Sequence, residues 1–345
     1  MIPVYVITGF LGSGKTTLLN HLVNQPGMKD TALIINEFGD VGIDHLLVDS
    51  AFEDTVLMQS GCICCTIRGD LIDTLSDLLT RSGRGEIPSF SRVVIETTGL
   101  ADPAPVLQTL MSDPNIADHY RLGGVVTTVD AVNGSRQLDE HEEPAKQAAV
   151  ADRIVLTKTD LATSAEAAAL NGKIRTLNPA SPIFSVINGK IGPEKLFDTD
   201  LYDPKTKNPD VDHWLRDGAF GHGSHHHGSH HHDNDVNRHG AHIQAFCLTY
   251  EKPLPWAALK TWLDSVISLR GSDVLRIKGI VNVMDSDGPV IIHGVQHIFH
   301  APVLLKSWPD EDTRSRIVFI TRGLEQQDLE AALEAVLNAD CAAAA

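Results

Sequence analysis

The sequence predicts a doubly wound, mostly parallel α/β sheet followed by a small α+β C-terminal domain. Over about the first two hundred residues, short β-rich runs alternate with helical patterns, which is typical of parallel strands joined by crossover helices. A glycine-rich loop directly follows the first predicted strand. After about Leu201 the composition becomes rich in turn residues and histidine, and an ordered pattern resumes at Ile243.

The first part of the chain supplies the parallel sheet. Several of its strand candidates are apolar without alternation, as expected of strands that helices cover on both faces. The predicted strands are Val4–Thr8, Ala32–Asn36, Val56–Met58, Arg92–Glu96, Val125–Val129, Arg153–Thr157 and Ile183–Val186. The helices predicted between them include Lys15–Asn24, Asp70–Ser82, Pro103–Met111 and Ala165–Leu177.

We predict three regions: an α/β domain over residues 1–202, a His-rich flexible linker over 203–240 and an α+β domain over 241–340. The terminal CAAAA is expected to be a frayed end. The last domain is predicted from the strand Ile243–Tyr250, a helix near Pro255–Leu269, the β-rich runs Val274–Met284 and Val290–His300, the strand Arg316–Thr321 and the helix Glu325–Leu337.

The charge and the distribution of apolar residues limit which binding partners and which cellular compartment are expected. The chain has 28 basic and 45 acidic residues, a net charge of −17, which argues against nucleic acid or anionic lipid as the main partner. The sequence contains no run of about 18 apolar residues, so it predicts no membrane span. The start, MIPVYVITGF, lacks a basic region ahead of its apolar stretch, so it is interpreted as a first strand. We therefore expect a cytoplasmic protein.

The glycine-rich loop predicts a phosphate site. Its sequence GFLGSGKTT matches G-x-x-x-x-G-K-[ST] between a strand and a helix, so residues 1–202 are expected to form a P-loop NTPase domain. Lys15 is expected to neutralise the β- and γ-phosphates and Thr16 to bind Mg²⁺, while the helix that follows adds its positive end. The nucleotide-binding candidates here are Gly9, Gly12, Ser13, Gly14, Lys15, Thr16 and Thr17.

A second loop predicts the base. Strand Arg153–Thr157 runs into TKTD, and an N/T-K-x-D segment in this position is typical of guanine recognition. Asp160 would accept hydrogen bonds from the guanine ring, and the Lys158 stem would pack along the base. The chain is therefore expected to bind GTP. An ATP-using small-molecule kinase is the alternative, but it leaves TKTD and the thiols unexplained.

Two further segments predict the hydrolytic residues. VVIETTG at Val93–Gly99 resembles a Walker B strand, with Glu96 reaching Mg²⁺ or its water shell and Gly99 approaching the γ-phosphate. In NEFGDVGID, Glu37 and Asp40 are candidates to orient the attacking water or contact Mg²⁺, with solvated turn acids as the alternative. The catalytic candidates are Lys15, Glu37, Asp40 and Glu96. No glutamine stands in an obvious water-positioning place, so slow turnover is expected.

Three of the five cysteines fall within SGCICC, between the Glu37 segment and Walker B. In an extended segment Cys62 and Cys64 point the same way, and Cys65 lies beside them if the chain bends. Converging thiolates suit Zn²⁺ or another thiophilic ion. Buried structural cysteines and a redox pair of Cys62 with Cys65 are the alternatives. Metal binding is favoured because soft thiolates stand so close together.

Histidines are also clustered, since nine of the 17 fall between His222 and His242. A mobile imidazole tract can capture or buffer divalent metal, and a tolerated low-complexity linker is the alternative. The auxiliary ligand candidates are His225, His226, His227, His230, His231 and His232. In the C-terminal part, His293 and His297 share strand parity but His300 does not, so no common site is expected there.

The motifs together resemble one family. GFLGSGKTTLLN, NEFGDVGID, GCICC, ETTGLADP and TKTD, in this order, look like the CobW family of metal-handling P-loop GTPases, and DVNRHG and RIKGIV are similar to its C-terminal domain. The resemblance covers nearly the whole chain. It implies a GTP-dependent metallochaperone in which Cys62, Cys64 and Cys65 bind the transferred ion, usually Zn²⁺ or Co²⁺.

These expectations combine into one functional hypothesis. GTP and Mg²⁺ would complete the thiolate site, and hydrolysis would release the ion to a client apo-metalloprotein. Neither nucleic acid nor a membrane is expected as partner, and a homo-oligomer is compatible with the sequence. The rival hypothesis is a metal buffer or sensor whose nucleotide gates affinity with little turnover.

Overall fold

The structure is a computed structural model that describes residues 1–35, 56–59, 67–197, 243–299 and 301–343. Within these residues the chain forms two sheets. A seven-stranded sheet, the parallel sheet, belongs to the N-terminal part, and a six-stranded sheet, the antiparallel sheet, belongs to the C-terminal part. The predicted fold class is confirmed.

Every strand pair of the parallel sheet runs parallel, in the order β3-β2-β4-β1-β5-β6-β7. All seven strands therefore end at one edge, which we call the carboxyl edge. The strands are β1 (Ile2–Gly9), β2 (Thr31–Ile35), β3 (Val56–Gln59), β4 (Arg92–Glu96), β5 (Tyr120–Asp130), β6 (Arg153–Thr157) and β7 (Ile183–Ser185).

Helices cover both faces of this sheet. Alternate residues of β1 belong to different cores: Val4 and Val6 pack on one face, Tyr5 and Ile7 on the other, and all four are buried. This two-sided burial explains why the strand is apolar without alternation. The helices are α1 (Lys15–Val23), α2 (Ile67–Gly83), α3 (Ala104–Ser112), α4 (Pro114–Ala117), α5 (Gly134–Glu140), α6 (Glu142–Val150) and α7 (Ser164–Leu177).

The antiparallel sheet has the order β11-β10-β9-β13-β8, with β12 paired to β10. Two helices cover one of its faces, where Trp262 meets Phe319 edge-on with ring centroids 5.7 Å apart. Its elements are β8 (Ile243–Tyr250), α8 (Trp256–Arg270), β9 (Val274–Val281), β10 (Val290–Val295), β11 (Ile298–Phe299), β12 (Val303–Leu304), β13 (Ser315–Arg322) and α9 (Gln326–Ala343).

Three local predictions were incomplete or wrong. The run Val290–His300 was predicted as one β-rich stretch, yet β10 and β11 pair as a hairpin that turns at Gln296, whose φ is +50°. The terminal CAAAA was predicted to be frayed, but α9 continues to Ala343 because alanine favours the helix. The short helices α4, α5 and α6 were not predicted. The domain boundaries stay a prediction.

The two sheets share one hydrophobic core. Ile243, Leu275, Val295 and Ile320 of the antiparallel sheet lie in the same buried cluster as side chains of α3 and α6. The antiparallel sheet therefore has apolar partners on both faces: its own helices on one and the N-terminal helices on the other. Burial of apolar surface is the main force that joins the two parts.

A buried carboxylate adds a polar link at this junction. Asp152, just before β6, accepts from Lys278 Nζ at 2.6 Å and pairs with Arg276, both on β9. It also accepts from the Val125 amide at 2.9 Å. Burial alone would raise the pKa of Asp152, but the charges of Arg276 and Lys278 outweigh it and hold this pKa far below the usual range.

We predict that Asp152→Ala lowers the free energy of unfolding by about 3–5 kcal/mol, because it leaves two cations in the junction without their carboxylate. Urea unfolding of the full chain measures this. Asp264→Ala is the matched control, since Asp264 pairs with Lys260 at 2.6 Å on an exposed helix face. An equal effect of the two substitutions would contradict the prediction.

The same carboxylate predicts an acid limit. A carboxyl whose pKa is lower in the folded chain stabilises the fold above its unfolded pKa and loses that contribution as pH falls towards the folded pKa. We therefore expect the contribution of Asp152 to decline as pH falls below about 4. Urea unfolding between about pH 7 and pH 3 should show a shallower pH dependence for Asp152→Asn than for the wild type.

Candidate functional site

The loop after β1 is shaped by glycines in a conformation that other residues rarely adopt. Gly9, Gly12 and Gly14 have φ of +145°, +70° and +91°. The loop closes through a hydrogen bond from the Ser13 amide to the Phe10 carbonyl at 3.1 Å. Helix α1 begins immediately at Lys15, and no side chain caps it. Its first amides are thus directed to the loop, which suits an anion.

Neighbouring strands clamp this loop. The hydroxyl of Ser13 lies 2.6 Å from that of Thr128 on β5, and the Thr157 hydroxyl on β6 donates to the Ser13 carbonyl at 2.7 Å. A Cβ on Gly9 would collide with Thr128, so only glycine fits there. The ends of β5 and β6 therefore fix the phosphate loop against the carboxyl edge.

Lys15 lies across the loop with its side chain largely buried. Its ammonium donates to the Gly9 carbonyl at 2.9 Å and to the Phe10 carbonyl at 3.3 Å. Thr16 is half-buried and Thr17 exposed at the start of α1. The loop amides, the Lys15 ammonium and the Thr16 hydroxyl together fit a nucleoside phosphate with Mg²⁺. In that arrangement Thr16 would hold the ion.

The Walker B segment lies directly against the phosphate loop. Glu96 is buried at the end of β4, where it pairs in register with Ile7 of β1. The Thr97 hydroxyl then donates to that of Thr8 at 2.9 Å. A Cβ on Gly99 would stand 2.7 Å from the backbone nitrogen of Leu11. The structure thus places Gly99 against the phosphate loop and Glu96 beside Ile7, two residues before that loop begins at Gly9, while the roles of both residues stay predictions.

Gln147 of α6 supports this segment from behind, and it is not among the site residues predicted from the sequence. Its side-chain amide donates to the Ala101 carbonyl at 3.0 Å and to the Gly99 carbonyl at 3.3 Å. The residue is fully buried. The only signal in the sequence is one glutamine in the otherwise alanine-rich stretch AKQAAV, and its partners are more than 40 residues away.

The TKTD loop also reaches the phosphate loop. Lys158 has a φ of +55°, and its ammonium donates to the Gly12 carbonyl at 2.8 Å and to Asp130 at 2.6 Å. Asp160 is exposed two residues later. The Thr159 hydroxyl donates to the Val186 carbonyl at 3.2 Å, which joins the loop after β7 to the TKTD loop. Neither Asp130 nor Val186 was predicted as a site residue.

The described residues thus bring together one group of predicted site residues. This group consists of Gly9, Gly12, Ser13, Gly14, Lys15, Thr16, Thr17, Glu96, Gly99, Lys158 and Asp160. Another group lies outside the described residues, and its roles stay predictions: Glu37, Asp40, Cys62, Cys64, Cys65, His225, His226, His227, His230, His231 and His232.

Among the residues that the structure describes, no three His, Cys, Asp or Glu side chains lie together as metal ligands would. No helix found there is long and apolar enough to cross a membrane.

Two family descriptions match the chain. The CobW/HypB/UreG nucleotide-binding domain matches residues 3–185, which include the phosphate, Walker B and TKTD loops. The C-terminal domain of the cobalamin synthesis protein cobW matches residues 243–337, which form the antiparallel sheet and most of its helices. The predicted resemblance is therefore confirmed.

Individual relatives agree. The chain is 32% identical over 331 residues to the zinc chaperone YjiA of Escherichia coli, covering 96% of this chain and 97% of that protein. It is 35% identical over 219 residues to the zinc chaperone CobW of Sinorhizobium sp, covering 55% and 60%. A crystal structure of the Zn(II)-bound YjiA GTPase from E. coli matches with a TM-score of 0.71 at 27% identity, covering 97% and 98%. The chain belongs to the CobW/HypB/UreG family of nucleotide-binding proteins.

Proposed function

We propose that this chain is a GTP-hydrolysing metallochaperone that binds a divalent ion, Zn²⁺ before Co²⁺, and delivers it to a client protein. The observation that carries the proposal is the junction of three loops at the carboxyl edge. Lys158 of TKTD bonds to Gly12 of the phosphate loop, and Gly99 of Walker B lies against Leu11. The zinc chaperones among the relatives favour zinc as cargo.

Each loop has a distinct task in hydrolysis. The amides of the phosphate loop and Lys15 would bind the β- and γ-phosphates. Thr16 and Glu96 would hold Mg²⁺, which would supply positive charge against the phosphate charge that develops during hydrolysis. Asp160 would accept from the guanine ring. Glu37 and Asp40 remain the candidates to orient the attacking water. Positioning and charge stabilisation supply most of the catalysis in such sites.

The proposed cargo site is Cys62, Cys64 and Cys65. Strand β3 ends at Gln59, which pairs with Ile35 of β2, and Ile35 pairs with Glu96 of β4. Two strand spacings, about 10 Å, therefore separate the backbone of Gln59 from that of Glu96. The cysteines follow Gln59 by only a few residues, which supports a thiolate site that responds to the nucleotide. The His tract would act as an auxiliary metal binder.

A continuous set of contacts supports signalling from the nucleotide to the antiparallel sheet. Gln147 of α6 bonds to Gly99 and Ala101, and the last carbonyl of α6, on Val150, accepts from Arg276 of β9. A change at Walker B would therefore act on α6 and, through it, on β9. This arrangement supports the proposal that the client docks on the C-terminal part, which would respond when the metal is released.

The proposal predicts that Zn²⁺ binds at least tenfold more tightly in the GTP-bound form than in the GDP-bound form, because linkage makes the two ligands tighten each other. Competition against a chelator measures the affinity, with a non-hydrolysable GTP analogue and with GDP, for Zn²⁺ and Co²⁺. Substitution of Cys62, Cys64 or Cys65 by serine should weaken Zn²⁺ binding in the GTP-bound form.

Cys247→Ser is the matched control, since Cys247 lies in β8 of the antiparallel sheet. It should leave the metal affinity unchanged. Equal Zn²⁺ affinities in the two nucleotide forms would contradict the proposed coupling between GTP binding and metal binding. Tight metal binding without metal-stimulated or client-stimulated GTP turnover would favour a metal buffer or sensor instead.

We also predict that Gly99→Ala lowers kcat/KM for GTP by about 100-fold, since the new methyl group presses on backbone that positions the phosphates. The added carbon would lie 2.7 Å and 2.8 Å from the backbone nitrogen and Cα of Leu11. Steady-state phosphate release measures it. Gly172→Ala in α7 is the control, because nothing lies within 4 Å of its added carbon. If Gly99→Ala hydrolysed GTP at the wild-type rate, the predicted close approach of Gly99 to the γ-phosphate would be contradicted.

A further inference from the structure

We propose that Asp130 is a positioning residue for guanine recognition: its carboxylate holds Lys158 in place and so fixes the TKTD loop beneath the base. Asp130 is the last residue of β5 and is only 1% exposed. It does not belong to the phosphate loop, Walker B or TKTD. The inference rests on the proposed use of GTP and deepens it.

The carboxylate of Asp130 is saturated with donors. One oxygen accepts from the amides of Val132 at 2.8 Å and Asn133 at 3.2 Å. The other accepts from the Asn133 side chain at 3.0 Å and from Lys158 Nζ at 2.6 Å. Three of these donors come from the turn that follows β5, so the carboxylate is held rigidly. The shortest bond is the one to the lysine.

This carboxylate is charged at neutral pH. Burial by itself raises the pKa of Asp130, but hydrogen bonds from Asn133, Lys158 and the two backbone amides outweigh it, so the pKa lies below the usual range. The contact with Lys158 is therefore a partly buried ion pair in which one member is rigid. Such a pair is stronger than a neutral hydrogen bond.

Lys158 needs such an anchor because of its own backbone. Its φ of +55° is sparsely populated for a residue with a side chain, and it persists only where surrounding contacts impose it. At the far end of the side chain, two contacts hold the ammonium: Gly12 of the phosphate loop at 2.8 Å and Asp130 at 2.6 Å. With both ends of the lysine fixed, its alkyl stem spans from TKTD to the phosphate loop.

The consequence for the base follows from the loop itself. Asp160, which reads guanine, lies two residues after Lys158 in the same turn, where the Leu161 amide bonds back to the Lys158 carbonyl at 3.0 Å. Releasing Lys158 would therefore shift the platform for the ring and the orientation of Asp160 together. Asp130 would act on guanine through these two residues without touching it.

The test is nucleotide discrimination by Asp130→Asn in the full chain. Asparagine still offers an oxygen to the two backbone amides, but it has no charge to hold the ammonium. We expect the Kd for GDP to rise about tenfold while the Kd for ADP changes little, so that the GDP/ADP preference falls about tenfold. Equilibrium titration with both nucleotides measures it, and circular dichroism checks the fold.

Asp139→Asn is the matched control. Asp139 also pairs with a lysine, Lys173, at 2.5 Å, but on an exposed surface of α5 and α7. It should leave both Kd values unchanged. A second variant, Lys158→Met, keeps an alkyl stem but removes the charge that Asp130 holds. It should lower the GDP/ADP preference as much as Asp130→Asn does, and the double variant should lower it no further.

The outcomes separate the inference from the proposed function. If the wild type prefers GDP and Asp130→Asn keeps the full preference, the positioning role is overturned. Should Asp130→Asn not fold, full preference in Lys158→Met overturns it in the same way. Equal weakening of GDP and ADP would also overturn it, because a merely structural carboxylate would affect both. A wild type without preference for GDP over ADP would overturn the proposed GTP specificity and the inference with it.

Discussion

The junction around Asp152 is the constraint on which the rest of the structure depends. One buried carboxylate binds an arginine and a lysine of β9 and an amide of β5, and apolar side chains of both sheets pack in one core. Such a site is stable only if all its partners are present, since each charge alone would be costly to bury. It therefore fixes the antiparallel sheet in one position on α3 and α6.

That fixed position gives α6 two functions. Its buried face belongs to the shared core, while Gln147 holds the carbonyls that follow Walker B and Val150 accepts from Arg276. A second layer of contacts, made by Thr128, Thr157 and Lys158, holds the phosphate loop to the ends of β5 and β6. The nucleotide site is thus assembled by long-range hydrogen bonds between loops that the sheet order makes neighbours.

The sequence was informative where function depends on contiguous residues. The phosphate loop, ETTG and TKTD could be recognised because phosphate and base contacts require fixed residue types at fixed spacing. Asp130, Gln147 and Asp152 could not, because each is a common polar residue whose partners are distant in the chain: Lys158 is 28 residues from Asp130, and Arg276 is 124 from Asp152. The hairpin at Gln296 was hidden because both of its strands are equally rich in β-formers.

The shared core has a consequence for how this protein can be divided. Ile243, Leu275, Val295 and Ile320 are buried against the helices of the nucleotide-binding part. A shortened gene product that ended before Ile243 would leave the apolar surfaces of α3 and α6 in water, and such surfaces promote aggregation. The two parts should melt as one cooperative unit. Recombination that exchanges the C-terminal part between distant relatives would therefore have to carry its contact helices along.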